Sequence, residues 1–245
     1  MTNPPPRIGL IIPASNTATE VQFQRYAPAG VGVHVTRLRM TGRWQKPLRE
    51  LDHAITEAAA ALSDTGPGVI VFHCTANSMQ EGLQGEAHIL ELIEKASGCP
   101  ALTTSRAVTE ALARLQLKKL VLISPYVKAT NEHEIQFLGE AGFEVIHDLG
   151  LGLVGGGDEY LRITPQRWAE LTLENRRAEA DGYFLSCTAT TMIEAIEDVE
   201  RRLQRPVVAS NQAVLWAALR RLDLTEPIAG LGRLFHAPRT AAMRG

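Results

Sequence analysis

The sequence predicts an α/β protein built as two similar lobes. Each lobe is a parallel sheet with flanking helices, the lobes are related by a pseudo-twofold, and the functional site lies in the cleft between them. Three observations carry this. Short apolar strands alternate with helix-length segments of 3.6-residue period, which implies parallel sheets with right-handed crossovers. The run Val69-Ile70-Val71-Phe72-His73-Cys74-Thr75-Ala76 returns as Tyr183-Phe184-Leu185-Ser186-Cys187-Thr188-Ala189. Pro125 follows Pro13 by 112 positions and Cys187 follows Cys74 by 113, so whole turns are repeated along with the strands. The repeat divides the chain into lobes over residues 1–113 and 114–212. A C-terminal helix and tail, 213–245, are expected to pack back across both.

In the first lobe, Arg7 to Ile12 reads as a strand closed by Pro13. Asn16 or Thr17 can cap a short helix toward Tyr26. Val31 to Leu38 is a second strand. Pro47 to Leu62 is helical, because Leu48, Leu51, Ala54, Ile55, Ala58, Ala59 and Leu62 share one side. Gly66-Pro67-Gly68 turns into the strand of Val69 to Phe72. A helix over Gly85 to Ala96 and a short strand at Ala101-Leu102 follow. Ser105 then caps a helix over Ala107 to Leu115.

The second lobe repeats the pattern. Leu120 to Ile123 is a strand closed by Ser124-Pro125-Tyr126, and Thr130 or Asn131 caps a helix to Ala141. Gly142 to Ile146 is a strand, followed by a glycine-rich loop, Gly150 to Gly157. Thr164-Pro165 has the cap-then-proline signature of a helix start, for a helix running toward Ala180. A strand over Tyr183 to Leu185, a helix over Ile193 to Leu203, a strand over Pro206 to Ala209 and a helix over Ala213 to Leu222 complete it.

Composition narrows the function. The 245 residues are 45% hydrophobic and 21% charged, as in an ordinary globular protein with a sizeable core. A formal net charge of -2 argues against a nucleic-acid surface or a polybasic membrane patch. No apolar run is long enough for a membrane span. The stretch from Met1 to Arg7 holds three prolines and no apolar segment, which is not a signal peptide. Three cysteines are an odd number for a disulfide framework, so a reducing, cytoplasmic setting is expected.

Ligands of open parallel sheets bind beyond the carboxyl ends of the strands. Four polar turns fall there: Pro13 to Thr17, His73 to Ser78, Ser124 to Tyr126 and Ser186 to Thr191. They bring Cys74 and Cys187 to face each other across the cleft. Paired thiols can attack an electron-poor carbon, or act as base and acid on two faces of one carbon. Either use calls for thiol pKa values lowered by helix N-termini or backbone N–H groups. Thr75-Ala76 and Thr188-Ala189 are small enough for N–H groups to approach a ligand and, with the threonine hydroxyls, to cradle a carboxylate. Tyr126 can donate a hydrogen bond to a carboxylate or enolate. Cys99 has no partner in the second lobe and reads as structural.

Strand alternation points His73 away from Cys74, so no metal site is expected. Gly155-Gly156-Gly157 lacks the lysine and position of a nucleotide loop and reads either as a flexible, substrate-covering loop or as an ordinary surface loop. Trp44, Trp168 and Trp216 read as packing.

The order Pro13-Ala14-Ser15-Asn16, Cys74, Ser124-Pro125-Tyr126 and Ser186-Cys187, with Gly230-Leu231-Gly232-Arg233-Leu234 near the end, resembles the Asp/Glu racemase superfamily. Within it the chain is similar to the branch of maleate cis-trans isomerases and arylmalonate decarboxylases. The resemblance implies a cofactor-independent cytoplasmic isomerase, with no metal, acting on a small carboxylate or dicarboxylate as a homo-oligomer, dimer or tetramer. It implies that Cys74 adds to the double bond of a cis-enedioate, the resulting single bond rotates, and elimination follows with Cys187 assisting. It further implies that Asn16 and Tyr126 bind carboxylates, with Ser15, Thr75, Ala76, Thr188 and Ala189 around them. Decarboxylases of the branch keep only the second thiol, so Cys74 argues against that chemistry. Leu151 to Gly157 departs from the isomerases by lacking a substrate-binding asparagine. Racemisation of an amino acid or related 2-substituted acid, a malonate-type decarboxylation, and a noncatalytic small-acid binder therefore stand as alternatives.

Overall fold

The computed structural model describes residues 4–42, 45–155 and 158–236. In the first lobe, β1 (Arg7–Pro13), β2 (Gly32–Leu38), β3 (Val69–Phe72) and β4 (Ala101–Thr103) form a parallel sheet in the order β2-β1-β3-β4. In the second, β5 (Lys119–Tyr126), β6 (Glu144–Leu153), β7 (Gly182–Leu185) and β8 (Val207–Ala209) form another in the order β6-β5-β7-β8. The shared order is what an internal duplication produces. The crossovers carry α1 (Thr19–Tyr26), α2 (Asp52–Ser63), α3 (Thr75–Met79), α4 (Gly82–Ser97) and α5 (Thr104–Arg114) in the first lobe. The rest of the chain carries α6 (Lys128–Glu140), α7 (Asp158–Leu161), α8 (Pro165–Glu174), α9 (Ile196–Leu203), α10 (Ser210–Arg221) and α11 (Gly232–His236).

Strand alternation sorts the core. Ile8, Leu10 and Ile12 of β1 and Val69 and Val71 of β3 point toward the second lobe and join a core continuous with it. Ile11, Ile70 and Phe72 point the other way, onto Leu51, Ile55 and Ile89. Helix α5 packs against α10, and α10 also reaches β3, so the apolar interior passes between the sheets without a break. The expected division at residue 212 therefore falls inside α10, a helix buried from Ser210 to Leu219.

Several local expectations change. Helix α6 begins at Lys128 with Val127 in the cap position and no side-chain cap. Asn131 is instead buried within the helix, bonded to the Ser124 hydroxyl and, at 2.9 Å, to Asp148 Oδ2. Thr103, not Ser105, caps α5, accepting from Arg106 N at 3.0 Å. Strand β6 runs on to Leu153, so Gly150 to Leu153 of the expected glycine loop are strand and Val154 and Gly155 are irregular. Gly150 permits this, since a Cβ there would sit 2.6 Å from the Tyr126 carbonyl of the neighbouring strand. Thr164 and Pro165 open α8 as expected, but the helix ends at Glu174. Trp168 and Trp216 are core residues. Trp44, Gly156, Gly157 and the C-terminal tail beyond His236 lie outside the described residues.

Gly182 opens β7, where a Cβ would lie 2.6 Å from Leu117 Cδ1 and 2.9 Å from the Pro206 carbonyl. That carbonyl accepts from Tyr183 N in the β7–β8 pairing, so it cannot retreat cheaply. Gly182→Ala is expected to destabilise the protein by about 1–3 kcal/mol, the usual cost of overpacking. Urea denaturation checks this, and an unchanged midpoint contradicts it.

Candidate active site

The carboxyl ends of β1, β3, β5 and the residues after β7 converge on one cavity of about 170 Å³. Asn16, Cys74 and Asn77 line it from the first lobe, and Tyr126, Cys187 and Thr188 from the second. Strands β3 and β7 are apolar and buried throughout, and polar side chains follow directly at their ends. Among the described residues no helix is long and apolar enough to cross a membrane, and no cluster of three His, Cys, Asp or Glu side chains is placed to hold a metal ion.

Cys74 precedes α3, a short helix in a stretch expected to be only a polar turn. This turn of helix aims the Ala76 and Asn77 N–H groups at the Cys74 sulfur. The Cys74 thiol donates to Asn77 Oδ1 at 3.1 Å, and Asn77 Nδ2 donates to the Met40 carbonyl at 3.2 Å. Cys187 sits in a tight turn with φ +152°, a region L residues rarely enter. Its sulfur accepts from Ala189 N at 3.3 Å and from the Tyr126 hydroxyl. Tyr126 in turn packs edge-on against Tyr160, with ring centroids 6.0 Å apart.

Burial corrects one expectation. Desolvation pushes the Cys74 and Cys187 thiols up to about 12, despite the N–H groups and the Tyr126 hydroxyl that pull the other way. No cation is among the groups that shift either thiol. Both sulfurs are therefore protonated at neutral pH in the unliganded site, and the donors around them stabilise charge only once it develops. Tyr126 is raised well above the usual phenol range by the same burial.

Other expected residues divide. Ser15, Ala76 and Ala189 line the cavity, and the Ser15 hydroxyl pairs with that of Thr41 at 3.3 Å. Thr188 lines it too, and its hydroxyl oxygen accepts from Asn16 Nδ2 at 3.2 Å. Thr75, the matched residue, is not in the lining: its hydroxyl donates to Ser210 Oγ at 2.9 Å, beneath the cavity. The expected symmetric cradle is thus one-sided. Asn16 lines the cavity, but its amide is committed to Thr19 Oγ1 at 2.9 Å and to Thr188, and its Oδ1 accepts from Ala18 N and Thr19 N at 3.0 and 3.1 Å. In the unliganded site Asn16 ties the lobes together instead of presenting a free donor. His73 points away from Cys74 as alternation requires, onto Thr19 and Thr104, and burial drives it down to about 3, hence neutral.

Sequence reasoning did not find Asn77, Thr130, His133 or Tyr160, all of which line the cavity. The signal for Asn77 was its place three residues after Cys74, one helical turn away. Tyr160 lies on α7, and at Gly155, where φ is +86°, an added Cβ would meet its hydroxyl and the backbone conformation itself favours glycine.

Comparison with known proteins fits this geometry. The family model for arylmalonate decarboxylase matches residues 8–235. A maleate isomerase from Geobacillus stearothermophilus is 26% identical over 242 residues, covering 93% of this chain and 96% of that protein. An arylmalonate decarboxylase from Bordetella bronchiseptica is 30% identical over 185 residues, covering 74% of this chain and 77% of that protein. A cysteine-to-serine variant of the Nocardia farcinica maleate cis-trans isomerase, solved with a covalently bound succinylcysteine intermediate, has the same fold. It superposes with a TM-score of 0.87 at 22% identity, over 96% of this chain and 99% of that one.

Iodoacetamide labelling of Cys74 and Cys187 is expected to be slow at neutral pH and to climb toward about pH 12. Tyr126→Phe removes a donor to Cys187 alone and is expected to slow labelling of Cys187 more than that of Cys74. Peptide mass mapping reads both sites. Labelling at neutral pH as fast as that of an unburied cysteine contradicts the account.

Proposed function

Because the chain belongs to the arylmalonate decarboxylase family, we propose that it is a cofactor-independent isomerase of a small unsaturated dicarboxylate. Conversion of maleate to its trans isomer is the simplest form. The observation that carries this reading is the pair of thiols, one from each lobe, on a single small cavity. Decarboxylation by the route the family resemblance implies needs only the second thiol, and this chain has both.

The reaction balances with both thiols protonated at the start. The Cys74 sulfur bonds to one alkene carbon while Cys187 gives its proton to the other, and the proton leaving Cys74 passes to Cys187. The alkene becomes a single bond, about which the carbon chain turns. Reversal of the steps breaks the carbon–sulfur bond and returns a trans double bond. The Tyr126 hydroxyl and the Ala189 N–H hold charge that develops on Cys187, and the Ala76 and Asn77 N–H groups do the same for Cys74. The succinylcysteine of the Nocardia farcinica enzyme is the kind of adduct this route passes through. Within the same reading, Thr188 and Ser15 contact the substrate, and the protein works as a cytoplasmic homo-oligomer, dimer or tetramer.

A decarboxylase is the second reading, favoured by the 30% identical relative. Proton NMR separates the two. Maleate is expected to yield its trans isomer, and Cys74→Ser and Cys187→Ser are each expected to lower turnover by at least about a thousandfold, a loss typical of a group that takes part in bond making. Full activity in both variants contradicts the proposal, and carbon dioxide release from an aryl malonate with no isomerisation selects the second reading.

A further inference from the structure

Glu134 is a buried carboxylate close behind the cavity lining that the proposed chemistry leaves unused. It lies on α6, next to His133 and four residues after Thr130, both of which line the cavity, yet it is itself 0% exposed. Neither carboxyl oxygen has a hydrogen-bond partner among the described residues. The hydroxyl of Ser186, the residue before Cys187, lies close enough to pull the carboxyl down somewhat, but makes no hydrogen bond of ordinary geometry with it and is itself without a partner. The charge of Glu134 is felt by Cys74, Cys187, Tyr126 and Tyr160, which lie on four different segments around the cavity. An uncompensated buried charge is costly, so such a carboxyl keeps its proton.

We propose that Glu134 is a positioning residue that sets the charge of the site: neutral, it lets the cavity accept a dicarboxylate beside the thiols, and ionised, it repels that substrate and makes both sulfurs harder still to ionise. The substrate part of this rests on the function proposed above; the effect on the thiols does not.

The groups around it support the assignment. Facing it are Ser186 and Cys187 after β7, Cys74 after β3, Tyr126 of β5 and Tyr160 of α7, none of them a cation. Asp148 of β6 is held by Asn131, one turn earlier on α6, and adds no positive charge. On α6 itself, Lys128 and Glu132 pair with each other at the surface, and His133 lines the cavity. Burial raises Glu134 to about 8, below both thiols, so it is the first of these groups to lose its proton as pH rises. The sign for stability follows. The unfolded carboxyl ionises in the ordinary range while the folded one does not, so stability falls from that range upward and levels off above about pH 8.

Glu134→Gln keeps the shape and removes the charge. Iodoacetamide labelling of Cys74 and Cys187 is expected to match wild type below about pH 7. It should become on the order of tenfold faster in the variant above about pH 8, the effect of removing one like charge nearby. KM for maleate in the wild type is expected to rise through about pH 8 while kcat changes less, and to stay flat in the variant. Superimposable labelling curves overturn the proposal. If labelling diverges as expected but no turnover is found, the thiol part stands and the function reading fails. In wild-type protein with carbon-13-labelled glutamate, one carboxyl resonance should titrate near 8; if every glutamate titrates in the ordinary range, the proposal is overturned whether or not the variant folds.

Discussion

The site is held together by a buried polar seam between the lobes, centred on the Thr188 carbonyl and the Ser210 hydroxyl. The carbonyl accepts from Asn16 Nδ2 and Thr19 Oγ1, both at 3.3 Å across the interface, and from Asn211 Nδ2 at 3.0 Å. Ser210 Oγ accepts from Thr75 Oγ1 at 2.9 Å and from Cys187 N at 3.1 Å, so one hydroxyl links the residues adjoining one thiol to the backbone of the other. Gln22 Nε2 adds a bond to the Thr190 carbonyl at 2.8 Å. Buried groups of this kind are costly when unpaired, so the seam admits essentially one arrangement of the two strand ends. It fixes Cys74 and Cys187 on one cavity and holds the Cys187 turn in its rare backbone conformation.

The same burial shapes the chemistry. Burial raises both thiols and Tyr126, which protects the sulfurs from stray reaction but leaves no ready-made thiolate. In the proposed route protons therefore pass between the thiols as bonds form. Ala76, Asn77, Ala189 and Tyr126 supply donors that gain value as negative charge appears. Among the described residues no cation is among the groups that shift the thiols or Glu134, so in the proposed arrangement the one carboxyl behind the site weighs on the charge of the whole cluster.

Much of this was legible in the residues. The repeated Cys-Thr-Ala at two strand ends marked the thiol pair, and strand alternation separated His73 from Cys74. The less legible parts depend on the second lobe. Nothing local shows that the Thr75 hydroxyl turns down to Ser210, 135 positions away, while Thr188 lines the cavity. Asn16 has the right chemistry to bind a carboxylate, and only the interface shows its amide already occupied. Helix α3 is five residues long, too short for a periodic pattern, so Asn77 was hidden in an apparent turn. Glu134 falls in a helix of mostly polar residues, and its burial is set by packing rather than by periodicity.

The central claim is that Cys74 forms a carbon–sulfur bond to the substrate and Cys187 handles the proton. Intact-protein and peptide mass spectrometry of Cys187→Ser after incubation with maleate tests this most directly. The account predicts one added maleic acid equivalent per chain, mapped to Cys74 and absent when Cys74 is also replaced. Maleate added at any other residue, or no adduct in a variant that still converts the substrate, would contradict it.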